Sequence, residues 1–415
     1  MTGFNGTKII ILGLNFYPEL TGIGKYTGEM AAYLVKAGHK VRVITTPPYY
    51  PHWRIRPGYH AWQYKKESWR GVEIQRCPLW VPRSPKAITR MIHLASFALS
   101  SLPALVAQLL WAPDVVICIA PAFMNAPFAR VFAFLYRAKA WLHIQDFELE
   151  AALGLGMLPG GKPIAAVART LESFILTRFD RVSSISENMI TLAVQKGVER
   201  KRTVLFPNWV DTDQIFPLRG TNPLRNELSI AENKRLILYH GNLGQKQGLE
   251  ILIEAAARLC DRPDIQFIIC GEGAARADLE KKAREMKNVR FLDLQPESRL
   301  NELVNLPEIH VLPQRAGAAD LVMPSKLTTM LASGKPVVAC SAEGTQLWKV
   351  IKQVGKVVPP EDAHALAQAI MDLMDDPREC EHLGKLGRNY TCQFLEKEVI
   401  LGKFNQALQK LHLPE

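Results

Sequence analysis

The chain has 415 residues, of which 48% are hydrophobic and 22% are charged. These values are ordinary for a globular protein and exclude a disordered or collagen-like chain. The length corresponds to two domains, each large enough to bury a core of its own. The seven cysteines include no CxxC pair and no cluster with histidine. A disulfide framework and a structural zinc site are therefore unsupported, and we expect a reducing compartment.

Positive charge is concentrated in the first half of the chain. The net charge is +11, yet residues 1–205 carry 25 basic and 12 acidic side chains, while the remainder carries 26 and 28. Such an excess predicts an anionic partner, whether a phosphorylated substrate, an anionic lipid surface or nucleic acid. A role in solubility alone is the alternative. No cationic segment followed by an apolar one opens the chain, so we expect a cytoplasmic protein.

Short β-branched runs alternate with longer helical patterns, and most of these runs are apolar nearly throughout. Such runs are typical of strands covered on both faces, as in a parallel sheet. The predicted strands are 9–14, 41–45, 72–76, 115–119, 142–145, 182–185 and 204–206 in the first half, and 236–239, 265–270, 289–292, 309–312, 337–340 and 356–358 in the second. The sequence therefore predicts an α/β fold of two doubly wound, Rossmann-like parallel-sheet domains that face a central cleft.

The alternation is interrupted by a polar, proline-containing stretch near residues 208–225, and we place the domain boundary there. The predicted first domain spans 1–210 and the second spans 225–391. A helical pattern at the C-terminal end, 392–415, is a candidate to pack back on the first domain. Ligands of such folds lie outside the carboxyl ends of the strands, which here means the predicted cleft.

Two segments of the first half are unusually apolar or aromatic. Residues 91–111 approach the length of a membrane span, but Pro103 and polar residues interrupt them, so we predict a buried or interfacial helix pair broken at Pro103. Residues 47–69 mix seven Trp and Tyr side chains with four Lys and Arg. This mixture suits a membrane interface or an acceptor loop, single-stranded nucleic acid, or a loop folded onto its own domain.

Two candidate sites follow strands of the first half. After the first strand, Gly22 and Gly24 permit a turn before a helix near residue 27, where backbone N–H groups with Lys25 nearby would hold an anion. A turn that merely needs glycine is the alternative. His143 and Asp146 follow the predicted fifth strand, and either would orient an acceptor hydroxyl; a satisfied core histidine is the alternative for His143. Neither GxGxxG nor a Walker loop follows the first strand, which disfavours a dinucleotide site.

Three loops at matching strand ends of the second half favour a nucleotide site together. The donor-binding candidates are Gly241, Asn242, Gly244 and Lys246 after the first strand, Gly271, Glu272 and Gly273 after the second, and Arg315, Pro324, Ser325 and Lys326 after the fourth. Ser325 is predicted to cap a helix, whose start would present positive potential to a phosphate beside Lys326 and Arg315. Glycine turns and a merely capped helix are the alternatives.

This ordered set of loops, together with the Pro-Asn-Trp-Val-Asp junction at 207–211 and the Gly-Lys-Pro turn at 334–336, resembles the two-domain GT-B glycosyltransferases over nearly the whole chain. It is similar to their large retaining family 4, or group 1, type, and within it to the bacterial fucosyltransferases of exopolysaccharide (colanic acid) biosynthesis. The resemblance implies a nucleotide-sugar donor on the second domain, GDP-fucose or a UDP-sugar, and an acceptor on the first. It also implies retention at the anomeric carbon, with no cofactor and no obligatory metal.

The family resemblance also implies which partners the protein binds. A lipid-pyrophosphate-linked glycan acceptor fits the basic first domain, and with it we expect peripheral attachment to the anionic inner face of the bacterial inner membrane, and no nucleic acid. A sugar-nucleotide epimerase on the same fold and a non-enzymatic nucleic-acid-binding protein are the alternative functions. A glycosidase would need a pair of inward carboxylates, and no convincing pair can be nominated.

Two positions depart from the family pattern. Many relatives carry a Glu-x7-Glu motif whose second glutamate holds the donor ribose, but Leu321 and Thr329 stand at those positions here, and Asp320 lies one residue away as a partial substitute. Many relatives also carry Arg and Lys in the loop after the first strand of the second domain, where this chain has Asn242 and Gln247. Thr329 is therefore the donor-binding candidate at the ribose, and the diphosphate charge must be met elsewhere.

The expected mechanism uses no protein nucleophile. Negative charge builds on the departing nucleoside diphosphate as the sugar–phosphate bond breaks, so donors fixed around it stabilise the transition state. Lys326, assisted by Arg315 or Lys246, is the predicted source of that stabilisation. Asp146 or His143 would position the acceptor hydroxyl.

Overall fold

A computed structural model of the chain describes residues 6–20, 22–83, 87–121, 123–147, 149–150, 161–244, 247–315 and 324–412. The chain divides into two compact units. Unit 1 consists of Met1–Pro207 with Leu401–Glu415, and unit 2 consists of Asn208–Ile400.

Unit 1 is built on an eight-stranded sheet whose inner strands are almost wholly buried. Its strands are β1 Lys8–Leu12, β2 Lys40–Thr45, β3 Lys65–Trp69, β4 Val72–Arg76, β5 Val115–Ala120, β6 Lys139–Ile144, β7 Arg181–Ser184 and β8 Thr203–Leu205. They lie in the order β3-β4-β2-β1-β5-β6-β7-β8, and all neighbours are parallel except β3 and β4. Because β2 and β5 flank β1 on opposite sides, the loops after β1 and β5 meet at a topological switch point.

The helices described in unit 1 are α1 Gly22–Lys36, α2 Ala87–Val106, α3 Ala126–Leu135, α4 Gly161–Leu176 and α5 Glu187–Gln195. The α1 helix buries one face, which includes Met30, Ala31 and Leu34. The α5 helix begins where the Ser186 hydroxyl accepts a hydrogen bond from the N–H of Met189, a regular N-cap.

Unit 2 is built on a six-stranded, wholly parallel sheet in the order β11-β10-β9-β12-β13-β14. Its strands are β9 Arg235–His240, β10 Ile265–Cys270, β11 Val289–Leu292, β12 Ile309–Pro313, β13 Val337–Cys340 and β14 Lys356–Val358. The helices described in it are α6 Pro223–Glu227, α7 Glu250–Arg258, α8 Arg276–Lys282, α9 Leu300–Val304, α10 Lys326–Ala332, α11 Gln346–Val354, α12 Ala363–Asp375 and α13 Pro377–Tyr390. Strand order reverses beside β9, which places the switch point between β9 and β12.

The last described helix, α14 Lys397–Gln409, begins in unit 2 and ends in unit 1. The Phe404 ring stacks on Phe206 at 4.2 Å and meets the Trp141 ring edge at 4.8 Å between centroids. The Asn405 side-chain oxygen lies 2.8 Å from Nε2 of His39. The C-terminal segment therefore completes the core at one end of the unit 1 sheet.

The prediction of two doubly wound parallel-sheet domains is confirmed, but one strand was missed. β3 is an antiparallel edge strand, and its polar sequence, Lys-Lys-Glu-Ser-Trp, gives no apolar run because one edge of it faces solvent. It pairs with β4 through a two-residue turn at Arg70 and Gly71, which have φ of 50° and 79°. Positive φ at both central residues is the geometry that tight hairpins require.

Two predicted helix boundaries are wrong. α1 begins at Gly22 instead of near residue 27, so the glycines expected in a loop before it lie in its first turn. α2 is one helix that runs through Pro103 and ends at Val106, so the expected break at Pro103 is absent. The span Ile88–Val106 is long and apolar enough to cross a membrane, with mean hydropathy 1.2, and 39% of it is buried.

Arg76 ties four segments of unit 1 together. Its guanidinium is almost fully buried, forms an ion pair with Glu67 of β3 and donates to the backbone oxygens of Thr46 and Tyr17. A buried charge that loses its partner is costly, so this contact fixes the loops after β1 and β2 against the hairpin.

We expect Arg76→Met to lower the free energy of unfolding by about 3–5 kcal/mol, because two backbone carbonyl oxygens lose their donor and Glu67 keeps only the longer contact with Lys65 at 3.5 Å. Urea unfolding followed by tryptophan fluorescence measures this, since six of the eight tryptophans lie in unit 1. Arg200→Ala is the control, because its ion pair with Glu187 is exposed and is worth at most about 1 kcal/mol. Equal effects of the two substitutions would contradict this account of Arg76.

Candidate functional site

The loops after β9 and β12 come together at the switch point of unit 2. A Cβ added at Gly248 would lie 2.7 Å from Cγ of Arg315, and one added at Gly241 would lie 3.1 Å from Nζ of Lys326. Residues from both loops and from the start of α10 therefore surround one small region at the carboxyl edge of the sheet, which is where ligands of doubly wound folds bind.

Two of the predicted glycine loops pack directly on each other. Gly271 has φ of +147°, and a Cβ there would lie 1.9 Å from the carbonyl oxygen of Gly241. The N–H of Leu243 donates to the carbonyl of Glu272 at 2.8 Å, and the N–H of Ala275 donates to the carbonyl of Leu243 at the same distance. Only glycine at 271 permits this approach, so the loops after β9 and β10 form one fixed layer.

Lys326 is the first residue of α10, and its ammonium group is partly buried beside β9. Nζ donates a hydrogen bond to the Tyr239 hydroxyl at 2.6 Å and lies 4.2 Å from the centre of that ring. Within the described part of the chain no carboxylate forms an ion pair with it. Burial lowers the pKa of Lys326 to about 8, because a charge removed from water without a counter-ion is disfavoured. The region therefore holds a cation with capacity for an anionic ligand.

Arg315 lies on the same side of the site, but its charge is partly neutralised. Nη2 is 3.2 Å from both carboxylate oxygens of Glu250 at the start of α7. The side chain is exposed, so the pair is weak and a ligand phosphate can compete for it. Lys246, the other predicted assistant of Lys326, lies outside the described residues.

The prediction that Ser325 caps α10 is wrong. Ser325 has helical backbone angles, φ −59° and ψ −27°, and its side chain makes no capping hydrogen bond. An N-cap hydroxyl reaches the first-turn N–H groups only from an extended backbone. α10 is also only seven residues long, so positive potential at this point comes from Lys326. Pro324 precedes it, and its carbonyl accepts from the N–H of Leu327 at 3.0 Å.

Thr329 stands one turn into α10 and faces β9. Its hydroxyl donates to the carbonyl of Lys326 at 2.9 Å and lies 3.5 Å from Nε2 of His240. Burial, with smaller contributions from His310 and Lys326, lowers the pKa of His240 well below its usual value, so this imidazole is neutral. Asp320 and Leu321 lie outside the described residues, and their expected roles stay predictions.

The remaining donor candidates are placed around this cluster. Asn242 is exposed, and its carbonyl accepts the Tyr239 hydroxyl at 2.9 Å. Glu272 is exposed and forms no ion pair with a described residue. A Cβ added at Gly244 would lie 2.7 Å from the side-chain oxygen of Gln247. A Cβ added at Gly273 would lie 2.4 Å from the carbonyl oxygen of Leu243.

In unit 1, His143 is a buried structural histidine. Its side chain is 2% exposed, Nδ1 lies 2.9 Å from the Ser183 hydroxyl and Nε2 lies 3.0 Å from Nε2 of Gln145. Burial lowers the pKa of His143 to about 3, and both ring nitrogens are occupied. These contacts favour the alternative of a satisfied core histidine for His143, and its contact with an acceptor hydroxyl stays a prediction.

Asp146 is the predicted positioning group that keeps access to solvent. It follows β6 by two residues and is half-buried. The neighbouring Gln145 is held by His143 and by a backbone bond to the carbonyl of Ala120 at 3.2 Å. The buried histidine therefore fixes the strand end from which Asp146 projects.

The loop after β1 is organised by Glu19, a residue that the sequence analysis missed. Glu19 is 4% exposed and accepts hydrogen bonds from Asn15 and from the N–H groups of Tyr49 and Tyr50 at 2.8–2.9 Å. A Cβ at Gly24 would meet the Glu19 side chain at 2.7 Å. Gly24 is thus required by packing on Glu19. Gly22 and the half-buried Lys25 lie in the same first turn of α1.

Neither Glu19 nor Tyr239 stands out in the sequence. Glu19 is an isolated acid between a proline and a leucine, and only its burial shows that it links two loops. Tyr239 lies two residues before Gly241, so alternation along β9 would have placed its hydroxyl on the side of the glycine loop.

Among the described residues, no group of three His, Cys, Asp or Glu side chains is placed to hold a metal ion.

Comparison with known proteins gives two family matches in chain order. A glycosyl transferase 4-like domain matches residues 21–209, and a group 1 glycosyl transferase domain matches residues 221–390. The chain belongs to the group 1 glycosyltransferases. It is 42% identical over 406 residues, 96% of this chain and 98% of the relative, to the Escherichia coli K12 protein named "Putative colanic acid biosynthesis glycosyl transferase WcaI".

Solved structures of glycosyltransferases share the whole fold. Sucrose-phosphate synthase from Thermosynechococcus elongatus superposes with a TM-score of 0.74 at 17% identity, covering 98% of this chain and 99% of that chain. HepE of Anabaena, solved with UDP and glucose, superposes with a TM-score of 0.68 at 16% identity, covering 97% of this chain and 100% of that chain. The fold is therefore GT-B, and the expected transferase class is confirmed.

The pKa of Lys326 predicts a pH dependence for anion binding at this site. An anion binds the protonated lysine and raises its pKa in the complex, so the association constant falls by up to about tenfold per pH unit above about pH 8. Calorimetric titration of UDP and GDP between about pH 7 and about pH 9 measures this. Lys326→Arg should flatten the profile, because a guanidinium stays protonated. An unchanged profile in Lys326→Arg would show that another group titrates.

Proposed function

We propose that this glycosyltransferase moves a sugar from a nucleoside diphosphate donor, bound at the switch point of unit 2, to a lipid-linked oligosaccharide acceptor on unit 1. The observation that carries the proposal is the partly buried Lys326 ammonium, which has a neutral hydroxyl partner in Tyr239 and no carboxylate among the described residues. A diphosphate supplies the missing negative charge.

The chemistry follows from that placement. The bond between the anomeric carbon and the donor phosphate oxygen breaks, and its electron pair leaves with the nucleoside diphosphate. The acceptor hydroxyl oxygen bonds to the anomeric carbon, and its proton passes to a donor phosphate oxygen, so atoms and charge balance. Lys326 stabilises the leaving group more as its charge grows. No protein nucleophile is needed, and we propose retention at the anomeric carbon.

Asp146 is the proposed positioning group for the acceptor hydroxyl. Its placement at the carboxyl end of β6, beside the His143–Gln145 pair that fixes the strand end, supports this role. A carboxylate orients a hydroxyl by accepting its hydrogen bond. Thr329 and the exposed Glu272 supply the polar groups proposed to meet the donor ribose, because the family's usual pair of glutamates is replaced here.

The proposed donor is GDP-fucose and the proposed setting is exopolysaccharide biosynthesis of the colanic acid type. The identity of 42% with the Escherichia coli protein named for that process supports the setting. The donor base rests on the fucosyltransferase resemblance, and a UDP-sugar is the competing donor.

Lys326→Ala tests the function directly. We expect turnover with GDP-fucose and membranes that carry lipid-linked oligosaccharide to fall by about 10²–10³, or about 3–4 kcal/mol, because a preorganised donor to the leaving group is lost. Lys287→Ala, an exposed lysine of the same unit, is the control and should keep full activity. Near-full turnover in a folded Lys326→Ala enzyme would sink the mechanism. Transfer from a UDP-sugar alone would overturn only the choice of donor.

We also propose that the enzyme is peripheral on the anionic inner face of the inner membrane. Unit 1 exposes apolar side chains on three helices: Ile88, Met91, Ile92 and Leu99 on α2, Val131, Phe134 and Leu135 on α3, and Val167, Leu171 and Phe174 on α4. Arg130 Nε donates to the carbonyl of Arg178 at 2.6 Å, and the two guanidiniums lie over Phe134 and Phe174. Apolar groups beside cations suit an anionic lipid interface.

Vesicle sedimentation tests the attachment. The protein should sediment with vesicles that contain phosphatidylglycerol, less with phosphatidylcholine alone, and less again as salt rises. Replacing Phe134 and Phe174, 72% and 55% exposed, by serine should weaken sedimentation several-fold. Phe216→Ser in unit 2, also exposed, is the control. Indifference to lipid charge, salt and these substitutions would rule out this surface.

A further inference from the structure

A cavity lies within unit 1, in the segment whose aromatic and basic residues are concentrated between 47 and 69. Its volume is about 680 Å³, within the range of small-molecule sites, about 300–1,000 Å³. It is lined by two stretches of chain, the loop after β2 and the segment that leads from β4 to α2.

The lining combines flat aromatic surfaces with positive charge. Its polar and aromatic side chains are His52, Trp53, Arg54, Trp62, Trp80 and Arg83, and its described residues include no carboxylate. Neither Arg54 nor Arg83 forms an ion pair with a described residue. Unpaired guanidiniums bind phosphate oxygens well, and indole rings pack on sugar rings and apolar chains. The cavity therefore fits a phosphate-containing anion that also carries a sugar ring and an apolar chain.

The cavity wall is fixed to α2. The backbone N–H of Trp80 donates to the Ser96 hydroxyl at 3.1 Å, and the backbone carbonyl of Trp80 lies 2.7 Å from Nδ1 of His93. The Ser100 hydroxyl donates to the carbonyl of Pro78 at 2.7 Å. A site held by a helix keeps its shape before the ligand arrives, which lowers the entropic cost of binding.

Trp53 is held in an unusual backbone conformation. Its φ is +51°, which is rare for a bulky residue. Its ring packs against His93 at 5.3 Å and against Tyr49 at 5.5 Å between centroids. Such local strain persists where surrounding contacts enforce it, and it is concentrated at ligand sites. Trp62, by contrast, is 71% exposed, and its indole is the exposed wall of the cavity.

The cavity wall is bonded to α2 through Trp80, and α2 also exposes apolar side chains. Arg83 precedes the start of α2 by four residues, and Ile88, Met91 and Ile92 of its first turns are exposed. Tyr64 donates to the carbonyl of Ser100 on the same helix at 2.9 Å. A ligand whose charged end occupies the cavity would thus have apolar side chains available for its tail.

We propose that this cavity binds the diphosphate-linked end of the lipid acceptor, with Arg54 and Arg83 on the phosphates and the indoles of Trp53, Trp62 and Trp80 on the first sugar and the isoprenoid. The inference rests on the proposed function and deepens it, because it assigns the acceptor class to particular residues. It adds a positioning site that the transfer chemistry itself does not require.

Binding of farnesyl diphosphate to the full chain carrying Lys326→Ala tests the proposal. That background removes the partly buried cation of the unit 2 site, and the cavity substitutions below distinguish binding in unit 1 from any that remains at Arg315. We expect binding at least about tenfold tighter than that of inorganic pyrophosphate or farnesol, because each of these lacks one half of the ligand. Arg54→Ala and Trp62→Ala should each weaken it by about tenfold. Arg200→Ala and Phe216→Ala are matched controls on exposed residues and should change nothing.

Each other outcome overturns the assignment. Binding that survives both cavity substitutions places the ligand elsewhere, and no binding excludes a lipid diphosphate. Displacement of farnesyl diphosphate by phosphatidylglycerol vesicles assigns the cavity to membrane headgroups, and displacement by a single-stranded oligonucleotide assigns it to nucleic acid.

Kinetics separates this proposal from the proposed function. In the wild-type background, Trp62→Ala should raise KM for the lipid acceptor and leave KM for the nucleotide sugar unchanged. Failure of Lys326→Ala to lower turnover would instead count against the unit 2 mechanism, whatever the cavity binds.

Discussion

The partly buried ammonium of Lys326 is the constraint around which the unit 2 site is arranged. It is held by a hydroxyl of β9 and by the close approach of Gly241, and no described carboxylate balances it. Such a charge costs stability when the site is empty. The cost is tolerable because the loops after β9 and β10 are locked to each other through Gly271 and Gly273, so the site does not collapse around the lysine. An anionic ligand then restores the electrostatic stabilisation that the Lys326 ammonium loses on burial.

The sheets could be predicted well from sequence because buried parallel strands are nearly continuous apolar runs. All six strands of unit 2 lie within two residues of their predicted bounds, and the four inner ones are almost wholly buried. β3 was missed because an edge strand is held by hydrogen bonds to one neighbour and does not require apolar side chains on both faces. Lys65 and Lys66 of β3 face solvent. Its one local signal was the Arg70-Gly71 turn. α2 was divided wrongly because Pro103 was taken as a helix break, whereas the helix runs through it to Val106.

The candidate site was predicted in part, and the successes and failures have one physical cause. Lys326 and the glycine loops were identified because their position after strands is fixed by connectivity. The two readings of His143 could not be separated, because sequence shows that a histidine is near a strand end, but not that Ser183 and Gln145 occupy both of its nitrogens. Glu19 and Tyr239 were missed because their partners Tyr49 and Lys326 lie 30 and 87 residues away in the chain; for Tyr239 the alternation along β9 gave the side of the sheet but not the lysine it bonds.

The path of α14 has a consequence for how the chain acquires its structure. Phe404 completes the aromatic cluster with Trp141 and Phe206, yet it follows the whole of unit 2 in the chain. During synthesis the ribosome must therefore deliver unit 2 before unit 1 can close its core. Until then the apolar end of the first sheet stays open, and it offers a surface to chaperones that a domain built from one continuous stretch would have hidden earlier.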